Sequence, residues 1–183
     1  MNSPRSNCTI LAGNVSIAAV SDFLAVLNGI AQDYAVTIQA LDATLIAGVE
    51  HINSAVQKAI RALEHKQGIT SDLGLEILVY ATGKRQIERA LAMGVTEGEN
   101  KVAVVIIDVA GDKDLDAVAE AVTRKTGIAE VPLQELEVDP RDDQKKANLK
   151  RFFAITDDEL NAVGEQKLQQ LVLERVALLD VLK

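Results

Sequence analysis

The chain has 183 residues, of which 48% are hydrophobic and 25% are charged, a composition typical of one globular domain with its own core. Aromatic residues make up 3% and tryptophan is absent, which argues against RNA-binding folds that stack bases on aromatic side chains. With a net charge of −8, any nucleic-acid site must be a local basic patch on an acidic protein.

The first elements follow from apolar spacing. Residues 1–7 are expected to be a flexible tail, and Cys8–Ile17 suits a short strand with a bend at Gly13 and Asn14. A helix is predicted from about Ser21, because apolar residues recur there at helical spacing. These residues are Phe23, Leu27, Ile30 and Tyr34.

The next two elements are a strand and a long helix. Alternation over Ala35–Asp42 predicts the strand. From about Ala47 to Gly68 the spacing predicts one amphipathic helix, whose apolar face carries Ile52, Val56, Ile60 and Leu63. Several basic residues cluster toward its exposed end, namely Lys58, Arg61, His65 and Lys66.

The apolar segment Ser71–Ala81 fits either a buried strand or a helix. We predict a helix, because Ser71 can cap its start and Gly83 suits a left-handed end. Glu76 would also interrupt a buried strand. A second short helix is predicted over Lys84–Met93, with its apolar residues Ile87, Ala90 and Leu91 turned inward.

A central strand is predicted over Lys101–Val109, which is β-branched and apolar on both faces. Asp112 is expected to cap the next helix, which ends at Gly127, and Val131–Val138 is predicted as the last strand. After Asp139-Pro140 a further helix turns Leu149, Phe152 and Phe153 inward. The predicted fold is therefore a single α/β domain over residues 1–183, with a small central sheet of about four strands covered by helices.

A long C-terminal helix is predicted from a capping box at Thr156–Glu159 to Leu182. It has too many apolar positions for one face. One stripe comprises Leu168, Val172, Val176 and Leu179, and another comprises Leu171, Leu178 and Val181. One stripe can cover the protein's own core and leave the other as a partner surface; alternatively, both are buried in the monomer.

The turn Gly83-Lys84-Arg85-Gln86 is the stretch best suited to hold a ligand. Backbone N–H groups at a helix start and two cations favour an anion such as a phosphate, and Gln86 could add a hydrogen bond. The alternative interpretation is an exposed helix cap with ordinary solvated cations.

Several other classes of protein are excluded. A phosphate-binding P-loop needs glycine where Leu78 stands and serine or threonine where Arg85 stands. Cys8 is the single cysteine and there are two histidines, so an internal disulfide and cysteine- or histidine-rich metal sites are excluded; we expect Cys8 to be buried. No cofactor or metal is expected. No apolar run approaches the ~18 residues that span a bilayer, and no signal peptide is evident, so we expect a cytoplasmic protein.

Three segments together resemble one known family. Their order and spacing are similar to those of the small kinase-binding subunit of the KEOPS complex, in its archaeal form. The segments are LEILV (Leu75–Val79) followed by GKRQI (Gly83–Ile87), QALDA (Gln39–Ala43) followed by IAG (Ile46–Gly48), His51 and Ala55, and ERVALL (Glu174–Leu179). The stretch before Val36 shows no such motif.

The resemblance implies an α/β protein without enzymatic activity, in a complex that makes threonylcarbamoyladenosine in tRNA. It implies that the C-terminal helix packs on the kinase-like subunit, through Leu168, Leu171, Val172, Arg175, Val176, Leu178 and Leu179. It also implies binding of the tRNA 3′ CCA end. We place that site at Gly83, Lys84, Arg85 and Gln86, with weaker candidates Lys58, Arg61 and His51; His51 could equally be a structural histidine.

Two other hypotheses stay open. The first is a purely structural interaction module in which Lys84 and Arg85 are merely solvated. The second is a small nucleotide-binding enzyme built on the Gly83-Lys84 turn and Asp108, which the missing P-loop residues disfavour.

Overall fold

The structure is a computed structural model that describes residues 6–182, without the side chain of Leu182. Residues 1–5 of the predicted tail lie outside the described part, and Asn7 already belongs to a strand. The described residues group into two compact units, 6–42 with 95–133 and 43–94 with 134–182. That the whole chain is one domain stays a prediction.

The elements alternate between the two units. The strands are β1 (Asn7–Ile17), β2 (Thr37–Asp42), β3 (Gly98–Asp108) and β4 (Ala129–Val131). The helices are α1 (Val20–Tyr34), α2 (Val49–Glu64), α3 (Leu73–Thr82), α4 (Ile87–Ala90), α5 (Leu115–Thr126), α6 (Asp143–Phe152), α7 (Asp157–Val163), α8 (Leu168–Ala177) and α9 (Leu179–Leu182). Short 3-10 turns lie at Ala43–Leu45, Leu91–Met93, Leu133–Leu136 and Glu165–Lys167.

The first unit is built on a sheet of the four described strands, in the order β2-β3-β1-β4 with all neighbours antiparallel. Strand β3 pairs with β1 along its whole length, from Gly98 opposite Ile17 to Asp108 opposite Asn7. Residues 102–107 are all fully buried, as expected of a strand that is apolar on both faces. The α/β fold with a small central sheet is thus confirmed.

Helices α1 and α5 cover this sheet. Their buried faces follow the predicted spacing, with Phe23, Leu27 and Ile30 from α1 and Val118 and Val122 from α5. These side chains join one apolar core with residues of the sheet, including Leu11, Val15, Ile17, Val102, Val104 and Ile106. Such burial supplies most of the driving force for folding, at roughly 25 cal/mol per Å² of apolar surface.

Four predictions for this unit were wrong. Strand β1 does not bend at Gly13; a Cβ there would lie 2.6 Å from the carbonyl oxygen of Ala129 in β4, so glycine allows close strand pairing. The last strand, β4, ends at Val131, where the predicted strand Val131–Val138 was to begin, because Pro132 cannot donate to a ladder and a 3-10 turn follows. Asp114, not Asp112, caps α5, and Cys8 is exposed on β1.

In the second unit, the helical prediction for the segment Ser71–Ala81 is confirmed, because helix α3 spans Leu73–Thr82. The cap of α3 is Asp72 rather than Ser71, since the Asp72 carboxylate accepts a hydrogen bond from the Leu75 N–H at 2.9 Å. Gly83 ends the helix in the left-handed conformation, with φ 66°. Glu76 is fully buried but satisfied, because it accepts hydrogen bonds from the N–H groups of Ile69 and Thr70 at 3.1 and 2.9 Å.

The long C-terminal helix is confirmed over residues 165–181, where the 3-10 turn, α8 and α9 follow one another. The prediction that this helix begins at Thr156 was wrong. Thr156 caps the separate helix α7 by accepting a hydrogen bond from the Glu159 N–H at 3.1 Å. Gly164, with φ 103°, then breaks the helical path. Within residues 6–182, every helix is too short or too polar to cross a bilayer.

Candidate functional site

The predicted RNA site lies in a loop rather than in a helix. Helix α3 ends at Thr82 and α4 begins at Ile87, so residues 83–86, here called the basic loop, connect them. The prediction that these residues form the first turn of a helix was wrong. Leu91, predicted to face inward, is 51% exposed. With four residues, α4 is too short for its dipole to support anion binding.

Backbone amides of the basic loop are partly occupied. The Gly83 N–H donates to the Val79 carbonyl at 2.9 Å, and the Lys84 N–H donates to the Thr82 hydroxyl at 3.1 Å. Arg85 and Gln86 are exposed and make no side-chain hydrogen bond or ion pair with any described residue. Their side chains, more than the backbone, are therefore what the loop offers to a ligand.

Two contacts hold the basic loop in place. Gly83 packs on α8: a Cβ at this position would lie 3.2 Å from the Arg175 carbonyl oxygen and 3.4 Å from the Val176 Cα. Lys84 extends over the ring of Phe152, with its Nζ 5.6 Å from the ring centroid, a cation–π distance. Glycine is thus required at position 83 both for its positive φ and for this close approach.

Lys58 and Arg61 lie together, but apart from the basic loop. Both line an open polar groove of ≈ 670 Å³ along α2, with Asn53, Gln57 and Glu137 among the other lining residues. The end of α3 contacts the start of α2 at His51. Lys58 and Arg61 therefore lie about 10 and 15 Å farther along the helix axis, at 1.5 Å per residue.

His51 is fully buried and its ring is satisfied on both sides. Its Nδ1 accepts a hydrogen bond from the Ala47 N–H at 3.0 Å, and its Nε2 donates to the Ala81 carbonyl at 2.7 Å. The Phe153 ring packs against it edge-on, with centroids 5.6 Å apart. Burial, with the nearby charge of Lys145, lowers the pKa of His51 to about 4. These features are those of a structural histidine, the alternative left open by the sequence.

Gly48, the glycine of the IAG motif, lies at the start of α2, close to His51. The Glu137 carboxylate accepts a hydrogen bond from the Val49 N–H at 3.1 Å, at the positive end of α2. Gln169 donates to the Ala47 carbonyl at 2.7 Å. A Cβ at Gly48 would lie 2.6 Å from the Gln169 Nε2, so a larger residue would block these contacts. Sequence reasoning missed Glu137 and Gln169, because nothing local links them to residues 88 and 122 positions away.

The predicted partner residues of the C-terminal helix divide by burial. Most lie inside the protein, namely Leu168, Leu171, Val172, Val176 and Leu179. By contrast, Leu178 is 48% exposed and Val181 is 77% exposed. One stripe thus covers the chain's own core, as predicted, while Leu171 of the other stripe is also buried. The exposed remainder, Leu178 and Val181, is called the apolar strip below.

Arg175, another predicted partner residue, is engaged within the chain. Its guanidinium donates to both carboxylate oxygens of Glu159, at 2.5 and 2.6 Å, and to the carbonyl oxygens of Phe153 and Ala154, at 3.2 and 3.3 Å. All four contacts are made by Nη2 and Nε, which together carry three of the five guanidinium N–H donors. Arg175 therefore braces α8 against the end of α6 and the start of α7.

The apolar strip is anchored at its centre. The Tyr80 hydroxyl donates to the Asp180 carboxylate at 2.7 Å, and Tyr80 itself is 1% exposed. Asp180 lies between the two residues of the strip. This bond ties α9 to α3, while Leu178 and Val181 on either side of Asp180 are exposed.

Acidic side chains do not form a candidate metal site in the described part of the chain. No group of three or more His, Cys, Asp or Glu side chains among residues 6–182 could hold a metal ion. Asp108, at the end of β3, accepts a hydrogen bond from the Lys113 N–H at 2.7 Å and so organises its own turn.

Comparison with known families gives the class of protein to which the chain belongs. A family model described as kinase-binding protein CGI-121 matches residues 17–180. The chain therefore belongs to the CGI-121 family of kinase-binding proteins, the family of the KEOPS small subunit that its motifs indicated. No curated protein matches the chain closely enough to add to this assignment.

Proposed function

We propose that the protein is a non-catalytic accessory subunit of the KEOPS complex, in its archaeal form, which makes threonylcarbamoyladenosine in tRNA. It binds the kinase-like subunit through its C-terminal helix and recruits tRNA through the 3′ CCA end. The observation that carries this proposal is the kinase-binding family match over residues 17–180. The exposed apolar strip and basic loop support its two halves.

The kinase-like subunit binds at the apolar strip. Leu178 and Val181 are large apolar side chains exposed on a helix in which the other predicted apolar partner residues are buried. Covering them with a partner would remove apolar area from water, which stabilises a complex. The predicted residues Leu168, Leu171, Val172, Val176 and Leu179 support this surface from inside, and Arg175 fixes the helix that carries it.

We expect Leu178→Asp and Val181→Asp each to weaken binding of the kinase-like subunit at least tenfold, since each places a charge in an apolar contact. Titration calorimetry with the purified partner measures this. Leu24→Asp, at a residue 38% exposed on α1, is the matched control and should bind normally. Unchanged affinity in both strip variants, with folding intact, would place the kinase-binding surface elsewhere.

The tRNA end binds at the basic loop. Lys84 and Arg85 offer two cations within a four-residue loop, and Gln86 adds an amide that can both donate and accept hydrogen bonds. A short unpaired RNA end needs only such a small patch, which is compatible with a net charge of −8. Lys58 and Arg61 form a second basic group that a longer RNA could reach, while buried His51 supports the site from behind.

We expect removal of the terminal CCA from tRNA to weaken binding at least tenfold, and Arg85→Glu to do the same with intact tRNA. Filter binding at fixed salt measures both. Arg124→Glu, at an exposed arginine on α5, makes the same charge change elsewhere and should have little effect. Equal affinities for tRNA with and without CCA would remove the RNA half of the proposal.

The second candidate function is a structural interaction module without RNA binding. It is favoured by the contact of Lys84 with Phe152, which gives that cation a role within the protein. A Lys84→Glu and Arg85→Glu double variant decides between the two in the assembled complex. If its tRNA modification equals that of the unaltered complex, the structural module is the better account.

A further inference from the structure

We propose that His51 is a positioning residue of the RNA site: from inside the protein, it sets where the basic loop lies. This inference rests on the proposed function and deepens it. The sequence suggested His51 as a direct RNA contact, but its side chain is fully buried. Its two links to the basic loop are a hydrogen bond to α3 and an aromatic contact that continues to Lys84.

The hydrogen bond acts at the last turn of α3. In a continuing helix, the Ala81 carbonyl would accept a hydrogen bond from the amide of Arg85. Helix α3 ends at Thr82, and the His51 Nε2–H donates to that carbonyl instead, at 2.7 Å. His51 therefore replaces the bond that would have continued the helix. The chain is free to leave α3 at Gly83 and present Arg85 outward.

The aromatic contact reaches Lys84 from the other side. The Phe153 ring packs on His51 with centroids 5.6 Å apart, and Phe152 packs on Phe153 with centroids 5.0 Å apart. Lys84 Nζ lies 5.6 Å from the Phe152 centroid. Movement of the imidazole would thus disturb both the backbone before the loop and the ring beneath its first cation.

The imidazole is a constant hydrogen-bond donor. Because the Ala47 N–H donates to Nδ1, the proton of the neutral ring must lie on Nε2, facing Ala81. The low pKa of His51, about 4, keeps the ring in this form at neutral pH. With Gly83 packed on the α8 backbone as well, the loop is ordered before RNA arrives, which lowers the entropic cost of binding.

Two substitutions separate the hydrogen bonds of His51. In His51→Gln, the side-chain N–H₂ reaches about as far as Nε2 and can still donate to the Ala81 carbonyl. In His51→Asn, the side-chain oxygen can replace Nδ1 as acceptor for the Ala47 N–H, but the amide is too short to reach Ala81. Both variants lose the aromatic ring, so they should lose similar stability.

The affinity for a short RNA oligonucleotide ending in CCA, and the amide NMR shifts of residues 84–86 in the free protein, are measured for both variants. Unfolding free energies check that their stabilities are matched. We expect His51→Asn to move the loop shifts and to bind RNA about tenfold more weakly. His51→Gln should restore both to within about threefold of the unaltered protein. If His51 had a purely structural role, the RNA affinity would follow the stability and would therefore be equal in the two variants.

The outcomes distinguish this inference from the proposed function. If the unaltered protein binds the oligonucleotide and the two variants bind it equally, His51 does not position the loop, while RNA binding stands. Unmoved loop shifts in His51→Asn overturn the inference as well, whatever the affinities. If the unaltered protein does not bind the oligonucleotide, RNA binding itself fails and the positioning role falls with it.

Discussion

Glu76 lies in a run of apolar residues and is fully buried, yet both its carboxylate oxygens accept backbone N–H groups. Lys145, 7% exposed, donates to the Leu136 carbonyl at 2.7 Å. His51 likewise bonds backbone on two sides. A buried polar group without partners costs about 1–3 kcal/mol. At the residue scale, each of these side chains holds a segment of backbone that no strand or helix satisfies.

Acid should destabilise the protein through His51 before carboxylates protonate. Its pKa is about 4 when folded and about 6.5 when unfolded, so between these values the unfolded chain binds more protons. Stability is therefore fully present above pH 6.5 and is lost as pH falls toward 4, by about 2–3 kcal/mol. Urea unfolding at several pH values measures the loss.

The control for this pH dependence is His51→Gln, which cannot titrate. Its unfolding free energy should change much less between pH 6.5 and 4 than that of the unaltered protein. A slope in this window that persists in His51→Gln would assign the acid sensitivity to other groups. Asp139 and Asp157 contribute little in this window: hydrogen bonds with Arg141 and Lys150 lower their folded-state pKa values, so their loss of stability begins only as pH falls to the ordinary aspartate pKa of 3.8.

At the element scale, helix starts show how a one-residue difference changes a cap. Ser71 and Asp72 are both good capping residues in sequence. Asp72 is the cap because its own φ and ψ, −92° and 120°, are extended and its carboxylate reaches the Leu75 N–H. At α5 the cap lies two residues from the predicted one: Asp114 rather than Asp112 accepts hydrogen bonds from the first helical amides.

Removing the cap of α3 should cost about 1 kcal/mol. We expect Asp72→Ala to lower the free energy of unfolding by that amount, because the Leu75 N–H loses its acceptor. Ser71→Ala, at the neighbouring exposed residue, should change it by less than about 0.5 kcal/mol. Chemical denaturation of both variants tests this, and a larger loss for Ser71→Ala would contradict the assigned cap.

At the scale of the whole molecule, charge limits how RNA can bind. The protein carries 27 acidic and 19 basic residues of the lysine and arginine type, so general attraction to RNA is absent. Specific contacts by Lys84 and Arg85 must then supply the electrostatic part. For single strands, each phosphate contact contributes about −0.7 to the slope of log affinity against log salt.

We therefore expect a slope of about −1.4 for a short RNA oligonucleotide ending in CCA. Arg85→Gln should reduce it to about −0.7, while Arg124→Gln should leave it unchanged. Fluorescence anisotropy titrations at several salt concentrations give these slopes. A slope near −3 would mean that cations beyond the basic loop, such as Lys58 and Arg61, also contact the oligonucleotide.

Periodicity in the sequence was enough for most elements. Strand β3 was predicted from an unbroken run of β-branched residues, and helix α2 and the inward face of α1 were predicted from apolar residues at helical spacing. Features that depend on a neighbouring element in the fold could not be predicted from the local sequence. Gly13 was predicted as a bend, because nothing in the local sequence shows that β4 approaches its Cα.

For the candidate site too, the sequence identified some features and the tertiary structure decided others. Sequence identified Lys84, Arg85 and Gln86 as an unusual basic turn and recognised two apolar stripes near the C-terminus. Burial then decided which residues remain available: His51 lies inside, Arg175 is paired with Glu159, and Leu178 is exposed.

By itself, the sequence determined the α/β class, the central strand, the helical choice for Ser71–Ala81 and the family, because these depend on residue types at short, regular spacing. Only the tertiary structure decided which polar groups meet. Glu137 reaches Val49 across 88 positions, and Tyr80 reaches Asp180 across 100. Such pairs form when packing of the core brings distant backbone together, and no local pattern records that distance.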